Sequence, residues 1–149
     1  MNIGLTMSGG GYRASAYSLG ALSYLEALEL EQTTLLKHVK AISTVSGGSI
    51  TGLSYAQSVK RSEPFAPYFQ RLFTFLTEED LVNEGISNFV SPGFKNSLIE
   101  GFARVYTEKL FDNATFESIL PEKTSTGVYD THLEFTCINA TEFITGTPF

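Results

Sequence analysis

The chain has 149 residues, 42% of them hydrophobic and 17% charged, which suits one folded domain with a single core rather than a disordered segment. Its formal charge of −6, with only ten Lys and Arg along its length, argues against a nucleic-acid partner and against docking on anionic lipid. A transient contact with an apolar or zwitterionic membrane surface stays open. One cysteine and two histidines provide neither a disulfide framework nor a zinc cluster, so no metal and no cofactor is expected.

In chain order, Ile3–Met7 is a short apolar segment that reads as a buried strand, and Ser8-Gly9-Gly10-Gly11 after it reads as a tight turn. Residues 12–30 read as a helix. Leu19, Leu22, Leu25 and Leu28 fall at helical spacing, and Ala14, Ala16, Gly20 and Ala21 leave room for close packing, so this helix is expected to lie on a sheet. Val39–Val45 is a second strand, Ser46-Gly47-Gly48 a second turn, and residues 50–60 resume a helical pattern. Strand, glycine turn, helix, repeated twice, is the start of an α/β domain with a parallel sheet and flanking helices.

The middle of the chain is aromatic and helical. Phe65, Tyr68, Phe69, Leu72, Phe73 and Leu76 repeat at helical spacing, and Leu98, Phe102, Val105 and Tyr106 do so again, with breaks at Pro92-Gly93 and Asn113. Asn113 or Thr115 can cap a short helix that runs to Leu120. Residues 131–139 alternate and are rich in strand formers, a third strand in which Cys137 is expected to be buried. The helical insertion thus occupies residues 60–130, between the second and third strands. No apolar run approaches the ~20 residues that span a bilayer, and the N-terminus lacks the layout of a signal peptide, so a soluble chain is expected, its compartment open with the cytoplasm favoured.

The chemistry sits at the two glycine turns. A serine between a strand end and a helix start, flanked by small residues, describes a nucleophile elbow, with Gly47 and Gly48 as the neighbours such a corner needs. Ser46 reads equally as a helix cap without chemistry. Gly9, Gly10 and Gly11 at the other junction can aim successive backbone N–H groups at one oxygen, as an oxyanion hole requires. The same three glycines can also cradle a phosphate or merely make a tight turn. The chain lacks the Gly-Lys-Ser/Thr ending of a P-loop and the Gly-x-Gly-x-x-Gly spacing of a dinucleotide fold, which weighs against the phosphate.

Gly9-Gly10-Gly11-Tyr12-Arg13 resembles the Gly-Gly-Gly-x-Arg/Lys motif of patatin-like phospholipases, and Val45-Ser46-Gly47-Gly48-Ser49 resembles their nucleophile turn. The Ser-Gly-x-Ser form is also similar to that of cytosolic phospholipase A2, which shares the catalytic fold. Ile138-Asn139-Ala140-Thr141 resembles a third segment of the family, a core strand followed by an Asn-Ala-Thr turn. The resemblance implies a lipid or ester substrate, an acyl-enzyme on Ser46, an oxyanion hole at Gly9–Gly11 and an aspartate as the base of a Ser-Asp dyad. It also implies that Arg13 supports the turn or meets an anionic head group; a solvated arginine at a helix start is the alternative. One departure is Thr44, where the family usually has glycine two places before the serine.

In the family the base belongs to an Asp-Gly segment beyond the Asn-Ala-Thr turn, and no Asp-Gly occurs here. Residues 1–149 are therefore expected to be a partial catalytic domain that lacks the general base. Candidates within the chain are Asp80, Asp112, Asp130 and Glu134, with His38 and His132 if a triad is considered. Asp130 and His132 introduce the third strand while Ser46 ends the second, which in a parallel sheet sets them at opposite edges, some 20 Å apart. His38 fails in the same way. Two readings follow: a serine acyl hydrolase whose aromatic insertion lines an acyl-chain channel, or a non-catalytic α/β piece that binds a ligand or partner.

Overall fold

The structure, a computed structural model, describes residues 1–78, 98–141 and 144–148, with Leu98 described in its backbone only. Asp80 and the Pro92-Gly93 break lie outside the described residues. Three parallel strands form the sheet: β1 (Ile3–Met7), β4 (Val39–Val45) and β5 (Phe135–Asn139), in the order β1-β4-β5. Leu5 stands opposite Ile42 and Met7 opposite Thr44; on the other side of β4, Ser43 stands opposite Cys137 and Val45 opposite Asn139. Because all three strands run the same way, the turns after Met7, Val45 and Asn139 leave from one edge. That edge carries the site.

Helix α1 (Gly11–Ala27) follows β1, and α2 (Gly47–Lys60) follows β4. Helices α3 (Phe65–Glu78), α4 (Leu98–Lys109) and α5 (Phe116–Ile119) come before β5. The α/β class and the parallel sheet expected from the two strand-turn-helix units are thus observed. The first two strands keep their expected bounds. The third is shorter, since residues 131–134 only approach the sheet, with the Glu134 N–H donating to the Lys40 carbonyl at 2.8 Å.

Helix α1 differs from its expectation in length and in face. It stops at Ala27 because Leu28 turns to extended backbone (φ −93°, ψ 132°), and its carbonyl accepts from the Leu35 N–H at 2.7 Å. A hairpin of β2 (Glu29–Leu30) and β3 (Thr33–Thr34) follows, then a 3-10 turn (Leu35–His38). Leu19 and Leu22 are buried, yet the small residues at the close approach are Ser15 and Ser18, while Ala16, Gly20 and Ala21 are exposed. The reason is a polar lock on α2 rather than a seat on the sheet: Thr51 Oγ1 donates to the Ser15 carbonyl at 2.8 Å and accepts from Ser15 Oγ at 2.7 Å, all buried. Helix α2 packs directly on the strands, and α1 packs mainly on α2.

The core is one cluster that includes Met7, Leu22, Leu36, Ile42, Tyr55, Tyr68, Leu72, Phe75, Val105 and Ile119. Of the expected α3 stripe, Tyr68 and Leu72 are fully buried; Phe75, outside the expected set, joins them, and Phe73 is 48% exposed. Thr115 caps α5 as expected, accepting from the Ser118 N–H at 3.3 Å while Ser118 Oγ accepts from the Thr115 N–H at 3.1 Å. Cys137 is half-buried rather than buried. By strand alternation it shares with Phe135 the sheet face on which Val45 is 40% exposed, a row that is half-buried at Ala41, Ser43 and Cys137 and exposed at Phe135 and Val45. No helix of the described residues is long and apolar enough to cross a membrane.

Candidate active site

Ser46 occupies the one-residue corner between β4 and α2, with φ 52° and ψ −122°. A positive φ combined with that ψ lies outside the left-handed helical well, and such a residue costs of order 1–3 kcal/mol that surrounding packing must offset. The packing is visible in the glycines. A Cβ at Gly47 would overlap the Gly11 carbonyl oxygen, and one at Gly48 would stand 2.7 Å from both the Met7 carbonyl carbon and the Ser8 oxygen. The first turn of α2 is therefore pressed against the backbone of the β1–α1 turn, a separation only glycine permits.

The two turns consequently meet at the serine. A Cβ at Gly9 would lie 3.1 Å from Ser46 Cβ and 3.7 Å from Ser46 Oγ. Gly10 (φ 137°) and Gly11 (φ 63°) adopt backbone open to glycine and strained for other residues. The dipole of α1 favours negative charge at this end of the helix. Arg13 lies exposed in the first turn of α1, and no acidic side chain pairs with it among the described residues.

Thr44, the departure from the family pattern, is accommodated by a glycine one turn into α2. Thr44 is 1% exposed; a Cβ at Gly52 would overlap its Cγ2 and stand 3.4 Å from Met7 Sδ. The Thr44 hydroxyl donates to the Cys137 carbonyl at 3.3 Å and accepts from Ser49 Oγ at 3.0 Å, so it ties α2 to β5 behind the corner. Asn139 closes the same edge, its amide donating to Ser43 Oγ at 2.9 Å and to the Thr44 carbonyl at 3.0 Å. A Gly52→Ala variant is expected to lose about 1–3 kcal/mol in urea denaturation, the usual cost of overpacking. Placing it on Thr44→Ser, which keeps the hydroxyl and removes the methyl, should recover most of that loss. Strict additivity of the two substitutions would refute the steric pairing.

None of the described candidates for the base comes near Ser46. Asp130 accepts from Lys60 Nζ at 2.6 Å and from the Glu122 N–H at 3.0 Å, and the lysine holds its carboxyl below the usual range. His132 Nε2 meets the Tyr55 hydroxyl at 2.9 Å, and burial, with Lys37 and Lys40, pulls its pKa down to about 4. It is a neutral ring at pH 7. Glu134 pairs with Lys40 at 3.1 Å, and His38 contacts the Met1 carbonyl at 3.2 Å and Thr33 at 3.1 Å. All four belong to the amino edge of the sheet, about 20 Å from Ser46 across the seven residues of β4. Asp112 pairs at 2.7 Å with Arg61, just beyond the far end of the 14-residue helix α2, also ~20 Å away. Among the described residues no side chain hydrogen-bonds to Ser46 Oγ, and no cluster of His, Cys, Asp or Glu could hold a metal ion.

An apolar cavity of about 600 Å³ opens beside Ser46. Ile50 and Leu53 of α2, Tyr106 of α4, and Phe111, Phe116 and Ile119 line it. Among the described residues no Asp, Glu or His lines it. The aromatic insertion thus contributes in two ways: its first helix, α3, supplies core, while α4 and α5 border the serine. Sequence periodicity cannot separate these roles, because both require apolar residues at the same spacing.

Comparison with curated proteins finds no match, and comparison with solved structures finds none either. The family model described as patatin-like phospholipase matches residues 5–143. That span holds both glycine turns, all of β4 and β5, and every residue that touches the corner, and the chain belongs to the patatin-like phospholipase family, whose members are lipid acyl hydrolases.

Proposed function

We propose that the protein is a serine acyl hydrolase that cleaves carboxylic esters of lipids through an acyl-enzyme on Ser46. The observation that carries this reading is the strained Ser46 corner standing both against the Gly9–Gly11 turn and at an apolar cavity. In the reaction, Ser46 Oγ attacks the ester carbonyl carbon and its proton passes to a base. The turn N–H groups of Gly9, Gly10 and Gly11 hold the oxyanion, a contribution on the order of 3 kcal/mol per donor. The alcohol leaves with the proton, the acyl chain stays on the serine in the cavity, and water then releases it.

The base implied by the family resemblance is an aspartate. It has to be delivered to the carboxyl edge, and Asn139 is where β5 emerges at that edge, directly opposite Val45. The described residues supply on this reading the nucleophile and the oxyanion turn, and Arg13 a cation for a head group beside that turn. An exposed Phe116 at the cavity favours an apolar or zwitterionic lipid surface over an anionic one, in keeping with the charge of −6.

No carboxylate or imidazole of the described residues lines the cavity, which favours the second reading, a non-catalytic α/β piece that binds a ligand or partner. Covalent labelling separates them. A short-chain fluorophosphonate is expected to add to Ser46, seen as one modified peptide by mass spectrometry, and Ser46→Ala is expected to abolish the adduct. Hydrolysis of p-nitrophenyl esters should fall with it. Equal labelling of Ser46→Ala removes Ser46 as nucleophile and leaves the binding reading.

A further inference from the structure

The geometry points to an acyl site that is blind and short: the cavity beside Ser46 accepts about the first eight carbons of a single acyl chain and ends at Phe111. The inference rests on the reading of Ser46 as the acylated residue. Its basis is the succession of α2 residues on the cavity wall. Ser46, Ile50 and Leu53 line it on successive turns, and lining from α2 stops there. The next residue on that face, Gln57, is 1% exposed, and its amide donates to the Phe111 carbonyl at 2.7 Å. Phe111 lines the cavity. The hydrogen bond therefore pins the backbone of Phe111 across the groove one turn beyond Leu53, where it forms an end wall.

The length of the site follows from the helix. Seven residues separate Ser46 from Leu53, about 10 Å at the helical rise of ~1.5 Å per residue. Carbon–carbon bonds of ~1.5 Å advance a staggered chain by about 1.3 Å each, so roughly eight carbons reach the wall. The width exceeds what such a chain fills: at about 30 Å³ per water-sized group, eight carbons occupy well under half of 600 Å³. Thr115 and Phe116 line the cavity and are both exposed, so the excess belongs to an open side. A longer chain must leave through that side and give up burial for every carbon beyond the wall. Leu53 and Phe111 are the residues that set the limit.

The test is a ladder of alkyl fluorophosphonates with 4, 8, 12 and 16 carbons, with rates of Ser46 modification read by mass spectrometry. The expected optimum is at about eight carbons, with the 16-carbon probe about tenfold slower, a discrimination of the size apolar pockets achieve. Leu53→Trp is expected to move the optimum to the four-carbon probe, and Phe111→Ala to move it to the 12-carbon probe. An optimum that stays put in both variants, or a parent rate that does not change from 8 to 16 carbons, overturns the length limit while leaving Ser46 as nucleophile. Modification by no member of the ladder overturns the length limit together with the reading beneath it.

Discussion

A Gly47→Ala variant is expected to lose 4 kcal/mol or more of stability, read as a collapse of the urea midpoint, and to lose fluorophosphonate labelling with it. One methyl has this effect because of what it meets. Beyond the overlap with the Gly11 carbonyl oxygen, it would stand 2.8 Å from the carbonyl carbon and the nitrogen of Gly11, all of them backbone. A flexible side chain can rotate away; a peptide unit can move only with the β1–α1 turn of which it is part. That turn holds two glycines at positive φ and lies against Ser46, so relief of the clash distorts both halves of the site. Overpacking ordinarily costs 1–3 kcal/mol, and backbone against backbone belongs above that range. A domain typically holds about 5–15 kcal/mol in total, so the variant should be close to unfolding. Two other glycines make the control: nothing lies within 4 Å of a Cβ at Gly4 or Gly20. Gly4→Ala should be neutral, and Gly20→Ala, in the middle of α1, should gain about 0.5–1 kcal/mol. A Gly47→Ala midpoint as high as that of Gly4→Ala would mean that the two turns are not in contact.

The same corner explains why so much of the site is legible in the sequence. A serine pressed between a strand end and a helix start needs small neighbours on both sides, and Gly47, Gly48 and the Gly9–Gly11 turn record that need as letters. The strands are legible because β4 is rich in β-branched residues, with Val39, Ile42 and Thr44 buried in the core. The sheet's direction then carries the argument about the base, and the observed register, Ala41 opposite Phe135, keeps Asp130, His132 and Glu134 at the amino edge. What escapes the sequence is tertiary. The hairpin after α1 turns on Glu31 and Gln32 at φ 51° and 68°, a left-handed pair that usually announces itself as Asn-Gly and here does not. The pairing of Thr44 with Gly52 and that of Gln57 with Phe111 join residues on different elements whose relation only the fold creates. The face of α1 escapes for a like reason: alanine and glycine look like close-packing residues, yet Ser15 makes the approach because Thr51 offers its partner.

Tyr68→Ala is the second large effect, expected to cost about 3–5 kcal/mol as deletion of a buried aromatic does. Tyr68 is fully buried on α3; its hydroxyl donates to the Thr51 carbonyl at 3.2 Å, and its ring meets those of Tyr55 and Phe65 at 5.7 and 5.6 Å. It thereby fastens α3 to the middle of α2, the helix whose first residues shape the serine corner. Tyr68→Phe keeps the ring and removes one hydrogen bond, so it should cost only about 1 kcal/mol. The contrast between the two variants measures packing against polarity at one position. It also decides what the first aromatic helix is for. If α3 is core, Tyr68→Phe modifies Ser46 at the parent rate and with the parent chain-length preference, and Tyr68→Ala loses stability first and labelling only as it unfolds. If α3 instead belongs to the acyl site, Tyr68→Ala should shift the chain-length optimum at a denaturant concentration where the fold persists. The cavity beside Ser46 is bordered by α2, α4 and α5 and not by α3, which makes the first outcome the expected one.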